Sequence, residues 1–117
     1  MHIEQLREYC LSKKGVSESF PFDSETLVFK VGGKIFLLTG INDKPLSFNI
    51  KCEPSNAIEL REQYSCVVPG YHMNKQHWNT IIVDGSVGQV LLQQWIDESY
   101  QLIVTSLPLK TRKSLGL

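Results

Sequence analysis

A two-layer α+β fold, with an antiparallel sheet and its helices gathered on one face, is what this 117-residue sequence predicts. Three observations lead there. Runs with period-two alternation, such as Leu46-Ser47-Phe48-Asn49-Ile50-Lys51, mark strands whose two faces differ in polarity. The connections between neighbouring runs are short and rich in Gly, Asn, Asp and Pro, which suits antiparallel pairing and not long crossovers. Apolar residues recur at helical spacing near both ends and once in the middle, so three helices remain to cover one side of the sheet. The expected order is α-β-β-β-α-β-β-α.

Residues 2–14 read as an amphipathic helix with Ile3, Leu6, Tyr9 and Cys10 on one face. Gly15 is placed to end it in a left-handed conformation, with Val16 against Leu11. Ser19-Phe20-Pro21-Phe22-Asp23 is a loop in which Pro21 holds Phe20 extended. Residues 26–31 and 34–39 form a hairpin, since Gly32-Gly33 supplies the two positive φ angles of a type I′ turn. Asn42-Asp43-Lys44-Pro45 turns into the strand at 46–51, where Leu46, Phe48 and Ile50 face the core and Ser47, Asn49 and Lys51 face away. Pro54 starts a helix over 54–64, with Ala57, Ile58, Arg61 and Tyr64 marking its inner face. A short strand covers Cys66-Val67-Val68, and a surer one runs from Trp78 to Val83. Ser86 and Gln89 fit a capping box for the last helix, about 87–106, with Val90, Leu91, Trp95, Ile96, Ile103 and Leu107 inward and Pro108 as its stop. Residues 1–108 thus form a single domain, and 109–117 a basic tail expected to fray.

Composition is that of a soluble globular protein, 42% hydrophobic and 21% charged. No apolar run approaches the ~20 residues of a membrane span. The first eight residues are charged and helical in pattern, which predicts no signal peptide and a cytoplasmic protein. The cysteines Cys10, Cys52 and Cys66 are odd in number, widely spaced and free of any CxxC pair, so they read as reduced, buried thiols. Formal charge is zero, but three of the twelve basic residues (Lys110, Arg112 and Lys113) lie in the last ten positions. Nine bases then face twelve acids over residues 1–107, a net −3 that lacks the overall basic footprint of a duplex DNA binder.

Polar chemistry concentrates in Pro69-Gly70-Tyr71-His72-Met73-Asn74-Lys75-Gln76-His77-Trp78-Asn79-Thr80. His72 and His77 are five apart, with Cys66 and Asp84 near, which matches neither a helical HExxH nor a zinc-finger pair, so no metal is expected. Cys66 with either histidine lacks a third group to activate it, and no phosphate loop, carboxylate pair or serine elbow occurs. The sequence therefore predicts no enzyme and no cofactor. Nucleic acid suits the motif better: Tyr71 or Trp78 can stack on a base, Asn74 and Asn79 can reach base edges, and Lys75 can meet a phosphate. The bland alternative is that Trp78 is core and Tyr71 covers an edge. For Phe20 and Phe22 two readings stand: an apolar patch for a protein partner, or closure of the core beneath the hairpin.

Ser19-Phe20-Pro21-Phe22, Phe29-Lys30-Val31-Gly32-Gly33-Lys34, Asn49-Ile50-Lys51-Cys52, the run Pro69 to Lys75 and His77-Trp78-Asn79-Thr80 together resemble the MmcQ/YjbR family of small bacterial proteins, over residues 1–108. The long polar motif is the specific part. The resemblance implies a two-layer α+β fold, grouped with secretion-chaperone-like and frataxin-like (CyaY-like) folds, and a DNA-binding role. That label rests largely on fold analogy. Glu53-Pro54 stands where the family pattern leads one to expect Asp-Pro, and glutamate caps a helix less well. The expected contact set is Tyr71, His72, Asn74, Lys75, His77 and Trp78. Lys30, Lys51, Lys110, Arg112 and Lys113 would supply phosphate contacts. The alternative is a protein-interaction or chaperone-like module on the same fold. The oligomeric state is left open.

Overall fold

A computed structural model describes residues 1–70 and 73–117 and has the expected α+β architecture. The elements are α1 (Ile3–Leu11), β1 (Val16–Ser19), β2 (Thr26–Val31), β3 (Lys34–Gly40), β4 (Ser47–Lys51), α2 (Pro54–Gln63), β5 (Val67–Pro69), β6 (Trp78–Ile82), α3 (Gln89–Ser106) and α4 (Leu109–Leu115). The six strands form one antiparallel sheet in the order β1-β2-β3-β4-β6-β5. Every expected element is present in the expected order, with β1 and α4 added.

Both additions follow from contacts that no local pattern announces. β1 has a single apolar residue, and its strand character comes from pairing with β2. A bidentate contact from Arg7 on α1 to Glu18, at 2.6 and 2.7 Å, ties it to the helix layer. The tail does not fray. Residues 109–115 form α4, closed by Gly116 at φ +72, and Leu115 and Leu117 pack against the core. Leu115 lies beside Gly15 and Val31, and Leu107 covers Gly32 so closely that a Cβ there would come within 2.6 Å of it. Three spaced leucines suffice to seat the tail, although α4 buries none of its own residues fully.

The pairing register sorts the sheet into two faces. Leu27, Thr39, Phe48, Ile81 and Val67 form one cross-strand row, and Phe29, Leu37, Ile50 and Asn79 the next. These residues are buried and meet the helices. α3 lies across β2, β3 and β4, α2 over β5 and β6, and α1 beside β1. The Gly32-Gly33 turn has φ +59 and +80, as a type I′ hairpin requires. β3 carries one irregularity. Phe29 pairs with Leu37 but Lys30 with Ile35, so Phe36 is an extra residue, turned inward onto Phe29 and Tyr100.

The bulge breaks the β3–β4 ladder, and α3 repairs it. The Ser99 hydroxyl donates to the Phe36 carbonyl at 2.6 Å and accepts from the Lys51 N–H at 2.9 Å. Ser99 is fully buried, so Ser99→Ala leaves both backbone groups without a partner. We expect a loss of about 1–3 kcal/mol in urea unfolding; a change within 0.3 kcal/mol would remove Ser99 from this role.

Several boundaries and faces differ from expectation. α1 ends at Leu11 and is started by a capping box between His2 and Gln5. α2 buries Ala57 and Leu60, while Ile58 points outward. α3 begins at Gln89 after an uncapped Gly88, and Ser86 instead donates its N–H to Asp84 Oδ1. Its buried stripe is Leu92, Trp95, Ile96, Ser99, Ile103 and Val104, and Val90 is 80% exposed. The capping box and the Val90 face are therefore corrected: the chain turns at Asp84-Gly85, which starts the helix a few residues later than the Ser86 pattern implies.

All three cysteines are reduced and buried. Burial pushes the Cys10 thiol up to about 12 and the Cys52 thiol up to about 11. Such thiols favour the folded state below the unfolded value near 8.5, and this contribution is lost as pH rises through the folded values. Stability should therefore fall between about pH 8.5 and 12. At pH 8 a disulfide-exchange reagent should label Cys10 and Cys52 only at the rate of unfolding; fast labelling of the native protein contradicts this.

Candidate nucleic-acid interface

The face of the sheet turned away from the helices is where the motif, the lysines and the loops meet. Its central row is Ser19, Val28, Leu38, Asn49, Thr80 and Val68. Val28 is fully buried and Leu38 nearly so, although no helix covers them. Two residues further along each strand, Ser17 pairs with Lys30, Lys30 with Ile35, and Lys51 with Trp78. This end of the face carries two lysines and a half-buried tryptophan and no carboxylate among those residues. Lys30 and Lys51 are two strands apart, roughly 10 Å. α4, with Lys110 and Lys113 exposed, packs near the same end through Leu115.

Carboxylates gather at the opposite end. Asp23 organises the loop before β2, accepting from the N–H groups of Glu25 and Thr26 at 2.8 and 2.6 Å, and these bonds lower its pKa. Asp43 packs on Gly40 and accepts from the Ser47 hydroxyl. With Phe22, Met73, Leu38, Asn42 and Asn49 these residues line a groove of about 510 Å³. A second cleft, of about 670 Å³, lies on the helix side between α2 and α3, where Lys51 and Cys52 meet Glu53, Glu98 and Trp95.

The polar motif is divided by the fold. Trp78 and Thr80 reach the helix-free face, and the Thr80 hydroxyl donates to Asn49 Oδ1 at 2.6 Å. Trp78 is half-buried on that face and outside the core cluster, while the other part of the bland alternative, Tyr71 at an edge, lies outside the described residues. Asn79 turns inward, fully buried, and its amide donates to the Ala57 carbonyl at 3.1 Å, so it reads no base edge. Asn74 is exposed but holds the loop: its side chain accepts from Gln76 N–H, and its carbonyl from His77 and Trp78 N–H. Lys75 and Gln76 lie against α2 in a groove with Arg61 and Glu62. The His77 carbonyl accepts from Cys52 N–H at 2.7 Å, which fastens the loop to the start of α2. Gly70 packs tightly where the loop begins, since a Cβ there would sit 3.0 and 3.2 Å from the main-chain O and C of Trp78. The candidates Tyr71 and His72 lie outside the described residues. Arg112 is only half exposed.

Phe20 and Phe22, 47% and 67% exposed, do not close the core beneath the hairpin. Sequence reasoning missed Asn42, Asp43, Asn49 and Met73 as neighbours in one groove. Outward alternation in β4 was the only signal, and it named Asn49 alone. Among the described residues no group of three His, Cys, Asp or Glu side chains is gathered for a metal. No helix among them is long and apolar enough to cross a membrane.

Comparison with known proteins adds a family to this geometry. The YjbR family model matches residues 11–102. YjbR of Escherichia coli is 35% identical over 115 residues, covering 98% of each chain. YbdF of Escherichia coli O157:H7 is 33% identical over 110 residues, covering 94% of this chain and 90% of its own. The crystal structure of the Deinococcus radiodurans protein DR2400, with family domain DUF419, superposes with a TM-score of 0.93 at 39% identity, over 99% of this chain and 88% of that one. A Pseudomonas syringae protein superposes at 0.74 with 26% identity, over 88% of this chain and 99% of its own.

Proposed function

Starting from a chain that belongs to the YjbR family, we propose that it is a non-enzymatic nucleic-acid-binding protein of the cytoplasm, with DNA as its ligand and the helix-free face as its contact surface. The observation that carries this is the separation of charge on that face. Lys30, Lys51 and Trp78 occupy one end, and Asp23, Glu25 and Asp43 the other. A chain without net charge can still attract phosphate where its cations are grouped. Trp78 offers an aromatic surface beside Lys51, and stacking of a base on such a surface is worth ~1–3 kcal/mol. Lys110 and Lys113, exposed on α4, are further cations that phosphate could meet, and Lys75 lies in the groove against α2.

Fluorescence anisotropy with mixed-sequence single- and double-stranded oligonucleotides at 50 and 200 mM salt tests the proposal. Binding that weakens steeply with salt supports it; no binding of any oligonucleotide at 50 mM removes it. The exposure of Phe20 and Phe22 favours a second reading, a protein-interaction module. Its signature is a partner recovered at moderate salt that nucleic acid does not displace.

A further inference from the structure

Resting on the nucleic-acid reading above, we infer that the phosphate backbone is held chiefly at a basic corner, where the α1–β1 turn, the β2–β3 turn and α4 meet, without regard to base sequence. Three stretches build this corner: 9–17, 26–42 and 99–117. They carry seven of the twelve bases and none of the twelve acids. The rest of the chain is left with five bases against all twelve acids. Zero formal charge therefore conceals a strongly dipolar molecule once the three stretches come together.

The fold brings them together. Val16 pairs with Val31 across β1 and β2. Leu115 of α4 and Val31 both lie against Gly15, and Leu107 covers Gly32. Lys14 packs over Gly116, and its carbonyl accepts from the Tyr100 hydroxyl at 2.5 Å. Lys13 is taken up by Asp97, which also accepts from the Tyr9 hydroxyl. Six cations remain. Lys14, Lys34, Lys110 and Lys113 are exposed, and Lys30 and Arg112 are half-buried. Among the described residues none of the six has a carboxylate partner. Like charges gathered without partners repel one another, and a phosphate backbone relieves that repulsion. Five of the six are lysines, whose ammonium groups act as point charges, so the corner holds a backbone and reads no base. Lys30 also stands on the helix-free face, which joins the corner to the contact surface already described. An anionic membrane would call for apolar side chains beside the cations. Of the exposed large apolar residues described, only Leu109 lies in these stretches.

The test is anisotropy with the full chain between 50 and 200 mM salt. The probes are an A·T-rich and a G·C-rich duplex of equal length and a mixed-sequence single strand. The two duplexes should bind within about threefold of each other. Replacing Lys14, Lys34, Lys110 and Lys113 together by Gln should flatten the slope of log K against log salt by about 3 and weaken binding more than about a hundredfold at 50 mM. Lys110→Gln with Lys113→Gln should give about half of that flattening, and Lys44→Gln none. An unchanged slope in a quadruple variant that melts like the unsubstituted protein overturns the corner and leaves nucleic-acid binding standing. If the quadruple variant does not fold, the double variant decides, and no flattening there overturns the corner. A preference above about tenfold for one duplex overturns the sequence-independent reading. Capture by vesicles of phosphatidylserine and phosphatidylcholine that none of the oligonucleotides displaces overturns the choice of ligand. Absence of binding to all three oligonucleotides at 50 mM overturns the inference and the function reading together.

Discussion

The double substitution Lys30→Glu and Lys51→Glu is expected to weaken nucleic-acid binding at 50 mM salt by roughly a hundredfold while leaving the fold intact. Each phosphate contact contributes about −0.7 to −0.9 to the slope of log K against log salt. Two lost contacts should flatten that slope by about 1.4–1.8. On that slope two contacts are worth roughly a hundredfold in affinity at 50 mM relative to 1 M salt. The introduced carboxylates add repulsion at the end of the face that holds none among Ser17, Lys30, Ile35, Lys51 and Trp78. Both side chains lie on the surface layer of the sheet, outside the core cluster, so thermal stability should shift little. Reversal of Lys75 is the control. It lies against α2 with Arg61 and Glu62, and its reversal should leave the slope unchanged. An unchanged slope in the Lys30/Lys51 variant would place the interface elsewhere.

Phe36→Ala should be the most destabilising of the substitutions considered, by about 3–5 kcal/mol in chemical denaturation. Phe36 is fully buried, with its ring 6.5 Å from Phe29 and set edge-on to Tyr100 at 5.4 Å. Truncation opens a cavity where the bulge, the hairpin and α3 meet. It also loosens the seam that Ser99 closes between Phe36 and Lys51. The double variant with Ser99→Ala should then cost less than the sum of the two, because both act on one seam. A cost under 1 kcal/mol for Phe36→Ala would mean that the core refills the space and that the bulge is no packing anchor.

The α+β class, the glycine hairpin, the helix start at Pro54 and the inward faces of β4 and α1 were legible in the sequence because each rests on local chemistry. Gly32-Gly33 adopts positive φ by its own freedom, and Phe48 and Ile50 alternate with polar neighbours whatever the rest of the chain does. The inner faces of α2 and α3 were less legible. Ile58 and Val90 are as apolar as Leu60 and Leu92, so composition alone could not say which would be buried.

The site was legible only as a list of side chains. Trp78, Asn79 and Thr80 are consecutive, and pleating sends Asn79 to the core and its neighbours to the opposite face. Lys75 and Lys51 belonged to one expected contact set, yet the loop carries Lys75 round to α2. Lys30 and Lys51 are twenty-one positions apart and meet because β3 runs between their strands. By itself the sequence determined which residues are strand, turn and helix formers, since those preferences act over a few bonds. Tertiary structure alone decided that two lysines and a tryptophan share one end of one face, and that Asp43 and Phe22 line one groove at the other. Strand register sets those neighbours, and register is a property of the whole sheet.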